Sequence, residues 1–149
     1  MSFIVVLAVL FLDRLTKSIA TSALVFNRPS CVIKGVLYFT LVHNRGAAFG
    51  ILKGQAPLFI LTSLFAIALI YTEIRKGESR SFCYRLSMSL ILAGALGNLI
   101  DRVYLGHVVD FIDFRIWPVF NVADSAITIG AILLGYSILN QNPKAKTKK

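Results

Sequence analysis

Residues 86–105 read LSMSLILAGALGNLIDRVYL, and residues 119–139 read VFNVADSAITIGAILLGYSIL. Each is an apolar run of about 20 residues, the length a helix rising 1.5 Å per residue needs to cross a hydrocarbon core of ~30 Å. Each also carries an aspartate preceded three positions earlier by an asparagine: Asn98 and Asp101 in the first, Asn121 and Asp124 in the second. A charged aspartate at the centre of a span costs ~2.5 to 3.5 kcal/mol on insertion scales, and less toward the interface. These two stretches therefore decide the fold class and mark where chemistry is to be sought.

Two more apolar stretches lie upstream, at about 3–25 and 57–74. Pro57 suits the first turn of its helix, where a missing N–H has no partner to lose. The expectation is an all-α membrane protein forming a single domain over 1–149. It has four transmembrane helices at about 3–25, 57–74, 86–105 and 119–139, and a basic tail over 140–149. Composition agrees: 56% of residues are hydrophobic and the mean hydropathy is +0.73, above the usual range of soluble domains.

The net charge of +9 falls mainly between and after the apolar runs, not on one basic, aromatic-interleaved face, so no nucleic-acid partner is expected. Arg75, Lys76, Arg80 and Arg85 lie between the second and third runs, and Lys144, Lys146, Lys148 and Lys149 follow the fourth. The positive-inside rule makes both segments cytoplasmic, and an even number of spans puts the N-terminus there too. The lysine tail also suits contact with anionic membrane lipids. The N-terminal apolar run lacks a basic n-region and an A-x-A cleavage pattern, so it reads as retained rather than as a signal peptide. Cys31 and Cys83 then fall on opposite sides of the bilayer and cannot pair within one chain.

Two outer segments remain, at about 26–56 and 106–118. The first runs Val32-Ile33-Lys34-Gly35-Val36-Leu37-Tyr38-Phe39-Thr40-Leu41-Val42 and ends in the Gly-containing stretch 44–50. Its β-branched and aromatic content predicts a small extracytoplasmic hairpin or sheet, to which 108–114 could add a strand. Trp117 is placed for the interfacial aromatic belt.

Asn98 and Asp101, like Asn121 and Asp124, are spaced to share one helix face, which gives each aspartate an asparagine amide of its own. With the third span running outward and the fourth inward, Asp101 and Asp124 reach similar depth near the outer surface. Three readings compete: interhelical polar contacts, a proton or ion relay, and an acid–base pair. Two facing carboxylates cannot both ionise cheaply, so such a pair holds one proton. One member then activates water against a carbonyl and the other protonates the leaving group.

Other hydrolytic chemistries lack their residues. There is no H-E-x-x-H zinc motif and no G-x-S-x-G nucleophile motif, and His43 and His107 lie in separate outer segments. His107 and Asp110 are three apart, but two potential ligands make no metal site.

Five blocks, taken in order, resemble the lipoprotein signal peptidases, also called signal peptidase II. They are Asp13-Arg14-Leu15-Thr16-Lys17, Asn44-Arg45-Gly46-Ala47-Ala48-Phe49-Gly50, Gly97-Asn98-Leu99-Ile100-Asp101-Arg102, Val109-Asp110-Phe111 and Phe120-Asn121-Val122-Ala123-Asp124-Ser125. The resemblance implies an aspartic endopeptidase of the bacterial cytoplasmic membrane. Such an enzyme removes the signal peptide from prolipoproteins, cutting before a diacylglyceryl-modified cysteine. It also implies Asp101 and Asp124 as the catalytic pair, supported by Asn98, Asn121 and Ala123. No metal or cofactor is expected, and the chain is read as a monomer with its site near the outer face.

Other residues take supporting places. Asn44, Arg45 and Gly46 offer polar contacts to a substrate, and Arg102 follows Asp101 directly. Asp13 and Lys17, four apart with the acid first, suit a helical ion pair, with Arg14 and Thr16 beside it. Ala93, Gly94, Ala95 and Gly97 would allow close approach of a backbone or a substrate. Asp110 and Asp113 are expected on the outer surface, with Asp110 positioning its segment over the site. The rival functions are a small proton-coupled transporter, disfavoured because Ser87, Ser89, Thr128 and Ser137 make a sparse inner path, and a lipid-binding scaffold, which needs no matched carboxylates.

Overall fold

In a computed structural model, residues 2–46, 56–75 and 81–140 are described here. They form, in order, α1 (Ser2–Ala23), β1 (Ser30–Ile33), β2 (Leu37–Asn44), α2 (Ala56–Arg75), α3 (Phe82–Leu105), β3 (Val108–Asp113) and α4 (Val122–Leu139). Helix α3 is the hub, packing against α1, α2 and α4. The strands make one antiparallel sheet in the order β1-β2-β3, and α1 and α3 both touch its β3 strand. Lys76, Arg80, the stretch 47–50, and the basic tail from 141 onward lie outside the described residues.

Burial is inverted relative to a protein dissolved in water. Phe3, Leu61, Phe65, Ile132 and Leu139 are exposed on the helices, whereas Asp13, Lys17, Ser87, Ser89, Asn98, Asp101 and Asn121 are buried. Polar groups turned inward and apolar groups turned outward are what a hydrocarbon solvent selects. By length and hydropathy, α3 and α4 each suffice to cross a membrane. At ~1.5 Å per residue, α1 and α2 also reach roughly 30 Å or more, although α1 carries the Asp13, Arg14 and Lys17 cluster.

Two helix boundaries differ from expectation. Helix α3 starts at Phe82 rather than near 86, because the Ser81 hydroxyl caps it by accepting from the Tyr84 N–H at 3.2 Å. Helix α4 starts at Val122 rather than 119. Phe120 is held in a bridge to Ile112, with its N–H on the Ile112 carbonyl at 3.0 Å, so only from Asn121 onward is the chain free to wind.

Close helix packing uses the small residues of α3. A Cβ on Gly94 would overlap the Ala123 carbonyl of α4, and one on Gly97 would come within 2.8 Å of Asp13 Oδ2 and 3.2 Å of the Ala123 side chain. The space that these glycines leave is thus filled by α4 and by an α1 carboxylate. Gly130 makes the reciprocal approach from α4 toward Ser87 and Ile91 of α3. At the far end, Ile70, Tyr84 and Met88 form an apolar cluster, and the Tyr84 hydroxyl donates to Glu73 of α2 at 2.9 Å.

Candidate active site

The polar residues collect where α1, α3, α4 and β3 meet. Gly106 creates that junction: at φ 72° it adopts the left-handed conformation that ends α3, and its N–H closes on the Arg102 carbonyl. The chain passes into β3 two residues later, which carries Val109 and Asp110 back over the end of α3.

Asp101 is 1% exposed and held in a tight cationic lock. One oxygen accepts from Arg14 at 2.6 Å, and the other accepts from Lys17 at 2.8 Å and from the Val109 N–H at 3.2 Å. Lys17 also pairs with Asp13 at 3.0 Å, the expected one-turn contact, and Arg14 bonds Asp13 at 2.7 Å and the Gly97 carbonyl at 3.0 Å. Asp13 does more than pair within its helix. Its second oxygen accepts from the Ala123 N–H at 3.1 Å, tying α1 to the unsatisfied N-terminus of α4. Thr16, by contrast, bonds only its own helix, at the Leu12 and Asp13 carbonyls.

The amides are crossed rather than local. Asn98 donates to Asp124 at 2.7 Å, on the neighbouring helix, and not to Asp101 three residues ahead of it. Asn121 is the N-cap of α4: its carbonyl oxygen accepts from the Asp124 N–H at 2.9 Å, and Asp124 accepts from the Asn121 N–H at 3.3 Å. The second N-x-x-D is therefore a capping box, a use of the same spacing that helix starts favour. With its oxygen committed, the Asn121 amide nitrogen reaches Asp110 at 2.7 Å, Asn98 at 3.1 Å and the Val109 carbonyl at 3.3 Å.

The expectation that Asp110 and Asp113 face the outer surface is corrected. Both are buried, because β3 is covered on nearly its whole length. Asp110 accepts from Asn121 on one oxygen and from Asn44 of β2 on the other, at 2.9 Å. Burial, joined by the negative charge of Asp124, outweighs these amides and the cation of Lys17, and its carboxyl is pushed up to about 7. Asp113 behaves oppositely. Burial pulls it upward, but the Thr40 hydroxyl at 2.7 Å and the Arg115 backbone and guanidinium hold it below the usual range.

Sequence reading missed this placement of Asp110. The available signal was an aspartate inside a short apolar strand, Val108-Val109-Asp110-Phe111-Ile112, where an acid has no reason to be buried without a task.

Around this core, Gly46 donates its N–H to the Asn44 amide oxygen at 3.0 Å, leaving the Asn44 nitrogen for Asp110. Arg45 lies near His43, whose imidazole is held below its usual range by burial and by the charges of His107 and Arg45. Arg102 approaches the Asn98 carbonyl at 3.5 Å and feels the charges of Asp124, Asp110 and Asp101. Among the described residues, no group of three potential metal ligands occurs.

Among the described residues, two cavities open on this centre. One of about 430 Å³ is lined by Asp124, Ser125 and Thr128 with aromatic walls from Phe114, Trp117 and Phe120. The other, about 410 Å³, is lined by Arg14, Lys17, Asp101 and the hydroxyls of Ser18, Thr21 and Ser22. Asp101 and Asp124 share no hydrogen bond; Lys17 and Asn98 link them.

Comparison with known proteins is consistent along the chain. The family model described as signal peptidase (SPase) II matches residues 5–140. A lipoprotein signal peptidase of Caldanaerobacter subterraneus subsp. tengcongensis is 50% identical over 141 residues, 93% of this chain and 96% of that protein. That of Halothermothrix orenii is 49% identical over 136 residues, covering 90% and 92%. A solved bacterial membrane enzyme, determined by the in meso method at 2.3 Å, superposes with a TM-score of 0.90 at 36% identity, covering 99% of this chain and 93% of its own. With apolar helices of membrane-spanning length and relatives of this kind, the chain is a bacterial integral membrane protein, and it belongs to the signal peptidase II family.

Proposed function

We propose that this chain is an aspartic endopeptidase that removes the signal peptide from bacterial prolipoproteins, cutting before the diacylglyceryl-modified cysteine. Removal of such signal peptides is the activity of the family. The aspartic mechanism rests on one observation: a single residue, Asn121, donates to both Asp110 of β3, through its amide nitrogen at 2.7 Å, and Asp124 of α4, through its backbone N–H at 3.3 Å, so the two carboxyl groups share one network of asparagine amides.

The sequence pairs Asp124 with Asp101, but the geometry favours Asp110 in that place. A carboxylate held by both Arg14 and Lys17 is committed to staying charged and has little basicity to lend. Asp110 has only neutral amides on its oxygens, and at about 7 its carboxyl is partly protonated near neutral pH, where an ordinary carboxyl would be fully ionised. It is suited to act as the acid and Asp124, at the edge of the larger cavity, as the base.

In this scheme Asp124 takes a proton from water as the water oxygen bonds to the carbonyl carbon. The carbonyl π electrons move to its oxygen, which accepts a hydrogen bond from protonated Asp110. Collapse breaks the C–N bond, the leaving nitrogen takes the Asp110 proton, and Asp124 keeps the one from water. The pair again holds one proton. Asp101, Asp13, Arg14 and Lys17 brace the site, with Asn98, Asn121, Asn44 and Ala123 orienting it. Arg45, Gly46 and Arg102 take supporting or substrate-contacting places in this reading. No metal or cofactor enters this scheme.

A monomer with four spans, both termini cytoplasmic and the site near the outer face completes the reading, with residues 1–149 as one domain surrounded by membrane lipids. Basic Arg75 ends α2 and Arg85 lies in the first turn of α3, while β3 and the exposed Ile116 and Trp117 lie at the other end of α3, suited to the outer interface. The aromatic cavity beside Asp124 fits a lipid-bearing substrate arriving within the bilayer. The test is cleavage of a diacylglyceryl-modified prolipopeptide by the purified protein in detergent, with the cut mapped by mass spectrometry. A cut before the modified cysteine is expected; equal cleavage of the unmodified peptide, or none by folded protein, would contradict the reading.

A further inference from the structure

Lys17 is 4% exposed, and its three N–H donors have three partners: Asp13 Oδ2 at 3.0 Å, Asp101 Oδ2 at 2.8 Å and Asn98 Oδ1 at 3.1 Å. A lock between α1 and α3 needs only the bond to Asp101, since Asp13 lies one turn away on α1 itself. The third bond goes to a neutral amide whose other end touches Asp124.

An ammonium has donors and no acceptor, so the atom of Asn98 that faces it is fixed as the amide oxygen. A second donor, Asn121 Nδ2, converges on the same oxygen at 3.1 Å. An amide whose oxygen is held twice has to turn its NH₂ the other way, where Asp124 Oδ1 accepts at 2.7 Å. Flipping the amide would set two N–H groups against two donors and leave the Asp124 oxygen facing an oxygen.

We infer that Lys17 is a positioning residue for the reaction, acting through Asn98 to keep an N–H donor on Asp124 so that this carboxylate stays ionised and correctly turned. The inference rests on the reading of Asp124 as the base and extends it. The charged groups that bear on Asp124 are Lys17 from α1, Arg102 from α3 and Asp110 from β3, and on its own helix the Asn121 N–H caps its second oxygen. Of the cations, Lys17 both contributes charge and sets the hydrogen-bond polarity of the amide between them. It also joins the two cavities chemically, since it lines one and controls a group in contact with a carboxylate lining the other.

The test is the pH dependence of kcat/KM on a diacylglyceryl-modified prolipopeptide for wild type, Lys17→Met and Lys17→Arg, with thermal unfolding measured in the same detergent. Lys17→Met is expected to lower kcat by about 10- to 100-fold with KM changed little, and to move the acidic limb of the profile upward by about one pH unit, the size of a charge-assisted hydrogen bond. Lys17→Arg keeps a donor and is expected to recover part of kcat and most of the limb. A Lys17→Met protein with a lower Tm but an unshifted profile would make Lys17 a structural lock and overturn the inference. Asn98→Asp keeps Lys17 and its ion pairs, so it serves if Lys17→Met does not fold. Its carboxylate can no longer donate to Asp124, so activity is expected to be lost at neutral pH and to recover as acid restores an O–H. A profile parallel to wild type would overturn the inference. Asp124→Asn in parallel separates the two claims: an active, folded Asp124→Asn defeats the base assignment itself, whereas an inactive one beside an unshifted Lys17→Met defeats only the role of Lys17.

Discussion

Asn98 on α3 donates to Asp124 on α4 at 2.7 Å, so the amide of one N-x-x-D motif serves the aspartate of the other. The site is thereby built across the α3–α4 interface, and anything that separates these helices disrupts it.

Gly94 is the point where that separation is most easily forced, because a Cβ there would overlap the Ala123 carbonyl. Gly94→Ala is expected to destabilise the protein by about 1 to 3 kcal/mol and to lower activity with it. Gly135→Ala on α4, where a Cβ meets nothing within 4 Å, is the control and is expected to be neutral or to stabilise by up to ~1 kcal/mol. Thermal unfolding in detergent compares the two.

Asn121 has two separable tasks, capping α4 through its oxygen and donating to Asp110 through its nitrogen. Asn121→Ala removes both, and is expected to cost about 2 to 4 kcal/mol from the lost cap and the unpaired buried groups. Asn121→Asp keeps a capping oxygen but not the donor. It is expected to lose activity at neutral pH in excess of its loss of Tm, as read from cleavage rates beside unfolding curves.

Much of this architecture is legible in the sequence, for reasons that differ by element. The helices announce themselves by apolar length, and the sheet by the β-branched runs around Tyr38 and Val109. Boundaries are set by single contacts, such as the bridge of Phe120 to Ile112, which local composition does not encode. The partnership of Asn98 with Asp124 depends on how two helices rotate against each other, whereas spacing reports only which residues share a face of one helix. Asp110 escaped for a related reason. A strand outside the spans reads as surface until Gly106 is known to fold it back onto α3.

Asp110 also predicts how stability responds to pH. Its carboxyl rises from the ordinary 3.8 to about 7 on folding, so between those values the folded protein holds a proton that the unfolded chain has lost. Its contribution therefore weakens as pH rises from about 4 to about 7 and then levels off. Asp110→Asn removes that slope: between pH 5 and pH 8 the Tm difference should move in favour of the variant. In wild type, kcat/KM is expected to fall above about pH 7 as the acid loses its proton.

Asp113 has the opposite sign. Its carboxyl is held below the ordinary value by Thr40 and Arg115 against the pull of burial, so its contribution is present above about 4 and is lost as pH falls through the lowered value. Asp113→Asn is expected to flatten the acid end of the Tm profile, below about pH 4, while leaving the shape of the activity profile near neutrality unchanged.

The most direct measurement is single-turnover cleavage of a diacylglyceryl-modified prolipopeptide by Asp110→Asn, Asp124→Asn and Asp101→Asn, each verified as folded. The expected result is a loss of at least about 1,000-fold for the first two, with Asp101→Asn weakened through its cationic lock yet cleaving well above them. Near-wild-type cleavage by Asp110→Asn, with Asp101→Asn inactive though folded, would contradict the pairing of Asp110 with Asp124 and return Asp101 to that place.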